Sequence, residues 1–174
     1  MAHIFLSQLK TVLNNCIDEL EQIHFLFSRN PETDFTRKRK LTFKEYIQFM
    51  LLMQGKTVSN EILDFFSHFL SAPSKSAFTQ QRYKLLPEGW DFLFHSFVTQ
   101  CRSLSDDLYC GYRLLACDGS DVNIARNPSD ERTFIHEGEK GYNAVHINAL
   151  YDIMNKPTVT FTYRERKRSM SVQH

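Results

Sequence analysis

Between residues 4 and 27 the apolar side chains Leu6, Leu9, Leu13, Ile17, Leu20 and Phe27 recur at spacings of three, four and seven, with Lys10, Asp18 and Glu21 elsewhere. That is the period of a helix with one apolar face. Thr42 followed by Glu45 forms the pattern of a capping box ahead of Tyr46, Ile47, Phe49, Met50, Leu51 and Met53, and Gly55 closes that run. Ser59 suits the N-cap of a third helix carrying Ile62, Leu63, Phe65, Phe66, Phe69 and Leu70, which Pro73 stops. Ser74 or Ser76 caps a fourth, over 77–86. Pro87 occupies the first turn of a fifth, whose Trp90, Leu93, Phe94, Phe97, Val98 and Cys101 trace one face. The first hundred residues read as all-helical.

Beyond about residue 103 the period changes. Residues 112–118 read as a short buried strand, 121–141 as a long polar loop containing Asn127-Pro128, and 143–153 alternates strictly. Val145, Ile147, Ala149, Tyr151 and Ile153 share one face of that strand, and Ala144, His146, Asn148, Leu150 and Asp152 the other. Asn155-Lys156-Pro157 marks a turn, and the β-branched and aromatic stretch 158–163 a third strand, giving an antiparallel meander. The first strand delivers Asp118 to its exit, where Asp118-Gly119 reads either as an ordinary turn or as a carboxylate held for chemistry. Asp121 reads as a loop cap.

The polar side of the fourth helix changes the picture. Thr79, Gln80, Gln81, Arg82 and Lys84 offer amides, a hydroxyl and cations without an acid. Gln and Arg reach base edges and phosphates, so this helix is either the second member of a helix-turn-helix, at about 59–86, or an amphipathic helix with an ordinary wet side. The run Arg37, Lys38, Arg39, Lys40 falls in a segment, 28–40, that reads as a solvated basic linker, placed where an arm would lie along phosphates. The chain's net charge is only +1, so nucleic-acid affinity has to come from such local clusters. Cys16, Cys101, Cys110 and Cys117 form no C-x-x-C pair, no secretory leader opens the chain, and no apolar run spans a bilayer. A soluble, cytoplasmic chain is expected.

Taken together, a helical and basic start, a strand ending Asp118-Gly119-Ser120, and a hairpin with Gly141-Tyr142-Asn143, His146 and Ala149-Leu150-Tyr151-Asp152 resemble bacterial insertion-sequence transposases of the DDE class, the IS-four type. Arg37 to Phe43 and Lys75 to Arg82 look like that family's N-terminal DNA-binding region, so the likeness covers about residues 30–155. The resemblance implies an α+β chain. Its parts would be a helical DNA-binding region over 1–103, the first antiparallel strands of a ribonuclease-H-like catalytic domain over 104–163, and a loose basic tail over 164–174. Asp118 would then be the catalytic and metal-binding residue, on the first, central strand of that domain. It would hold Mg2+ or Mn2+ in a pair of ions about 4 Å apart that drives in-line phosphoryl displacement.

One carboxylate cannot hold that pair. The family's second aspartate and its glutamate have no counterpart in the residues after Asp118. Glu165 is too close to Tyr163 and Arg164 to match the family's spread signature, and Asp152 either approaches Asp118 or is satisfied by its neighbours. A truncated, catalytically incomplete transposase is therefore expected. Its DNA-binding contacts would be Arg37, Lys38, Arg39, Lys40, Gln80, Gln81, Arg82 and Lys84, and its partners double-stranded DNA and either its own copies or an intact transposase. The alternatives are a DNA-binding module without catalysis, acting as an inhibitor of an intact relative, and a helical interaction domain with no nucleic-acid role.

Overall fold

In the computed structural model the apolar periods of the first hundred residues become α1 (Ala2–Gln22), α2 (Phe43–Leu52), α3 (Val58–Phe65), α4 (Lys75–Arg82) and α5 (Pro87–Arg102). The structure describes residues 2–37, 40–67, 72–104, 107–155 and 158–165, with the backbone alone for 2–5 and 158–165. The chain is α+β and divides into two units, Met1–Cys101 and Arg102–His174. No helix among the described residues is long and apolar enough to cross a membrane.

The local signals of the helical unit act as read, with small shifts. Thr42 Oγ1 accepts from Glu45 N while Glu45 Oε2 accepts from Thr42 N at 2.9 Å, completing the capping box. Ser74 caps α4. The cap of α3 is Thr57, two residues before the expected Ser59. That helix closes at Phe66, short of Phe69 and Leu70, which lie outside the described residues. Helix α1 ends at Gln22, and a 3-10 turn at His24–Phe27 takes over the rest of the expected span.

Cys16, Ile17 and Leu20 from α1 meet Tyr46, Ile47 and Phe49 from α2, Ile62 from α3, Phe78 from α4 and Leu93 from α5 in one apolar core. The Phe49 ring stands edge-on to Phe78 at 4.8 Å and to Phe65 at 5.2 Å, the geometry aromatic pairs favour. Each such ring, removed from water, contributes about 2–3 kcal/mol before its entropic cost. Tyr46 carries a penalty within this core. It is 1 % exposed and its hydroxyl has no hydrogen-bond partner. Burial, opposed by the Arg82 charge, pushes its pKa up to about 12.

Residues 28–35 are held more closely than a solvated linker would be, while Arg37 and Lys40 are exposed as expected. Ser28 bridges Leu85, Arg29 N donates to the Lys84 carbonyl at 2.9 Å, and Leu86 N donates to the Phe27 carbonyl at 2.8 Å. The buried Asp34 carboxylate accepts from Asn30 N at 3.0 Å and lies 3.5 Å from the Lys84 ammonium. Phe35, in the left-handed region at φ 58°, packs edge-on against Phe43 at 4.9 Å. A non-glycine residue in that region is strained. The ring burial and the Asp34 contacts hold it there.

In the second unit β1 (Leu115–Ile124), β2 (Phe134–Ile135), β3 (Tyr142–Asp152) and β4 (Thr158–Glu165) form one antiparallel sheet. Strand β1 pairs along one side of β3; β2 and β4 share its other side, at 142–143 and 145–151. The sheet is thus three strands wide. The expected first strand, 112–118, is displaced: it runs from 115 to 124 and absorbs the start of the supposed loop. Its cause is a period-two stretch, Ser120 to Ile124, continuing in register with Ile147 to Asn143.

Tyr46→Phe removes the unpartnered hydroxyl and keeps the ring. It should raise unfolding stability by about 1 kcal/mol, measured by urea denaturation followed on Trp90, whose ring lies 6.2 Å from that of Tyr46. A lower midpoint would mean that the hydroxyl contributes a bond in solution.

Candidate functional site

Asp118 sits in the middle of β1, opposite Ala149, and not at a strand exit. Its Oδ1 accepts from Gly119 N at 2.9 Å, and like every residue of β1 it is exposed. Gly119 is not a turn residue. A Cβ there would lie 2.9 Å from His146 Nε2 and 3.0 Å from Asn148 Oδ1, so glycine is what lets the histidine lie across the strand. Asp121 is not a loop cap either: its carboxylate meets His146 Nδ1 at 2.8 Å across the β1–β3 pair.

Neither alternative carboxylate joins Asp118. Asp152 pairs with Leu115, an odd number of positions away, and therefore belongs to the opposite face. Glu165 pairs with Val145, four positions along β3 from Ala149 and one strand beyond, which puts its backbone about 16 Å from that of Asp118. Among the described residues no group of three or more His, Cys, Asp or Glu is placed to hold a metal ion. The residues around Asp118 thus do not fit a two-ion site. Nor is β1 central in the described sheet, because its second edge has no strand beside it.

Asp152 and Asn143 have structural work at the two ends of β3. Asp152, 1 % exposed, accepts from Met154 N at 3.1 Å, Asn155 N at 3.0 Å and Asn155 Nδ2, with the Arg113 guanidinium 3.7 Å away. Burial alone would raise its pKa, but the Asn155 and Met154 hydrogen bonds and the Arg113 charge together outweigh it and hold the carboxyl below its ordinary value. Asn155 also grips the backbone of Asp107 through both its oxygen and its nitrogen. At the other end Asn143, also 1 % exposed, accepts from Asn127 N at 2.6 Å and donates to Asn127 O and Thr133 Oγ1. Thr133 in turn donates to Asp130, which is the main reason that carboxyl is held low.

In the helical unit the structure brings the basic run against α4. Arg37 lines a small cavity of about 190 Å³ with His24, Thr36, Gln81 and Lys84. Lys40 lines a larger, open cleft of about 650 Å³ with Ser59, Leu63, Lys75 and Gln81. Lys38 and Arg39 lie outside the described residues. On α4, Gln80 and Arg82 are exposed, as a binding surface requires. Two expected contacts are corrected. Gln81 is 5 % exposed and turns inward, and Lys84 is committed to Asp34, with its ammonium 5.8 Å from the Phe35 ring. Helix α3 ends at Phe65 and α4 begins at Lys75, and residues 68–71 of the connection expected to hold the turn lie outside the described residues. Lys75, part of the stretch Lys75 to Arg82 but not among the expected contacts, belongs to the cleft; its place directly after Pro73-Ser74, at the head of α4, was the available signal.

Comparison with family models, with curated proteins and with solved structures gave no match to this chain.

Asp152→Ala should destabilise the strand unit by about 2–4 kcal/mol, since it strips several buried donors of their acceptor. The pH dependence has a definite sign. A carboxyl held below its unfolded value of about 3.9 contributes stability above that pH, and the contribution is lost as pH falls through the folded-state value. Protection factors of the β3 amides, that is exchange corrected for its intrinsic pH dependence, should therefore fall on acidification in the native chain and be low already at neutral pH in the variant.

Proposed function

We propose that the chain is a DNA-binding protein of the DDE-transposase type. Its helical unit grips duplex DNA, and its strand unit is the opening meander of a ribonuclease-H-like domain with Asp118 as the first acidic residue. The observation that carries this reading is that Arg37 and Lys40, about forty residues away in sequence, line cavities walled by Gln81 of α4, while Gln80 and Arg82 of the same helix are exposed. Cations of this kind neutralise phosphates, while a glutamine and an arginine on one short helix have the reach to read base edges. The strand order supports the second half: β1, with an acid at its middle, pairs with β3, which pairs with β4 in a meander.

With Asp118 as the one carboxylate of the proposed site, this chain binds DNA and performs no phosphoryl transfer unaided. It acts either on transposon ends together with an intact transposase that supplies further acidic ligands, or against that enzyme by occupying its ends. Magnesium or manganese would be held only in such an assembly.

Duplex binding measured by fluorescence anisotropy should weaken with salt, with log affinity falling against log salt at a slope of about −3. Arg82→Ala should make that slope shallower by about one, and Gln80→Ala should relax sequence preference by about 1–3 kcal/mol. Undetectable binding at low salt would end the DNA reading. In magnesium or manganese the purified chain should neither nick nor join DNA, and Asp118→Asn should leave duplex affinity unchanged. Cleavage by the native chain that disappears in Asp118→Asn would show instead that the chain's own residues complete the site.

A further inference from the structure

Thr42 caps α2 from the surface. The residue is exposed, and its Oγ1 donates to Glu45 Oε2 at 2.8 Å while accepting from Glu45 N at 3.2 Å. A cap of this kind needs no cations in front of it. Here Arg37, Lys38, Arg39 and Lys40 stand five, four, three and two positions ahead of the hydroxyl. Arginine ahead of a hydroxyl at those distances, with further cations between, is the charge pattern by which basophilic serine/threonine kinases choose a phosphoacceptor. Thr36, Arg37, Lys40, Leu41 and Thr42 belong to no helix or strand. Leu41 is buried, so an enzyme reaches this stretch through local opening of a short connection.

The surroundings also suit the product. Thr42 and Arg37 line one small cavity together with Lys84 and His24, where the lining acid is Glu21. Phosphorylation adds roughly two negative charges and three acceptor oxygens. The N-terminus of a ten-residue helix favours such a charge. A guanidinium meets phosphate through two parallel hydrogen bonds. Glu45 would be displaced, because its carboxylate repels the phosphate and the hydroxyl proton that joined the two side chains is gone.

We propose that Thr42 is a phosphorylation site whose phosphate is held by Arg37. Thr42 Oγ1 attacks the γ-phosphorus of ATP bound to a basophilic kinase. The Oγ1–P bond forms as the bond from that phosphorus to the bridging oxygen breaks, ADP leaves, and the hydroxyl proton passes to the kinase's base. The consequence rests on the DNA-binding reading above. Modification turns Arg37 from the phosphates of DNA to the chain's own and sets negative charge among the cations of the basic run, so the duplex is released.

The test incubates the full chain with magnesium-ATP and the catalytic subunit of a cyclic-AMP-dependent kinase, and locates phosphate by fragmentation mass spectrometry. Ser169, outside the described residues, follows Arg166-Lys167-Arg168 and serves as an internal control for the enzyme. Thr42 should take up phosphate, Thr42→Ser should do so as well, and Thr42→Val should lose that phosphate alone. By phosphorus NMR the second ionisation of the phosphothreonine should lie below its ordinary value of about 6 and return toward it in Arg37→Gln. Duplex affinity, measured by anisotropy in the Ser169→Ala chain, should drop about ten-fold on modification. A kinase active on Ser169 or on a reference peptide that leaves Thr42 bare would overturn the site. An ionisation that Arg37→Gln does not move would overturn the pairing, and unchanged duplex affinity after modification would overturn the release. If the unmodified chain binds no duplex, the DNA reading falls and the release with it, while the site and its pairing are decided by the first two measurements.

Discussion

The sheet depends on two buried polar residues, the Asn143 amide and the Asp152 carboxylate, placed at opposite ends of β3. Among the described side chains of the strand unit Ala144 is the buried apolar one, and its companions in burial are Thr133, Asn143, Asp152 and Asn155. Apolar burial, the usual source of cohesion, is therefore slight here. Order comes instead from hydrogen bonds that tie loop backbone to the central strand: Asn143 fixes the 127–133 loop, and Asp152 with Asn155 fixes the turn after β3 to the backbone of Asp107. Such networks hold a unique geometry only when every member is satisfied.

The helical unit is built the opposite way, on aromatic and aliphatic packing, and its polar contacts serve to attach the segment that precedes α2. Lys84 is the hinge of that attachment. By pairing with Asp34 it leaves the exposed polar side and takes a place in the architecture that sets Arg37 beside Gln81 of α4. Gln81 likewise exchanges the surface for the interior. Gln80 and Arg82 stay at the surface of α4.

What the sequence made legible follows from how local each signal is. Capping at Thr42 and Ser74, the proline start of α5 and the period of β3 are decided within a few residues, and all formed as read. The errors fall where a distant partner decides. Asp118-Gly119 has the chemistry of a turn until ten residues of β3 pair alongside it, and a glycine then proves necessary for a histidine twenty-seven positions later. Asp34 and Phe35 look like linker until Lys84 and Phe43 are in place. For Gln81 and Lys84 the α4 period was read correctly, but the width of the buried face was underestimated, because a cleft and a docked segment lie on sides that spacing alone assigns to solvent.

The unpaired edge of β1 has a consequence for how the molecule behaves in company. A ten-residue strand with one row of free amides and carbonyls is a template on which another extended chain can crystallise into a shared sheet. Val122 and Ile124, both exposed, would favour such growth. Asp118, exposed in the same strand, sets a negative charge on it, and like charges brought together oppose such growth. An acid in an edge strand of this kind disfavours pairing between copies of the sheet.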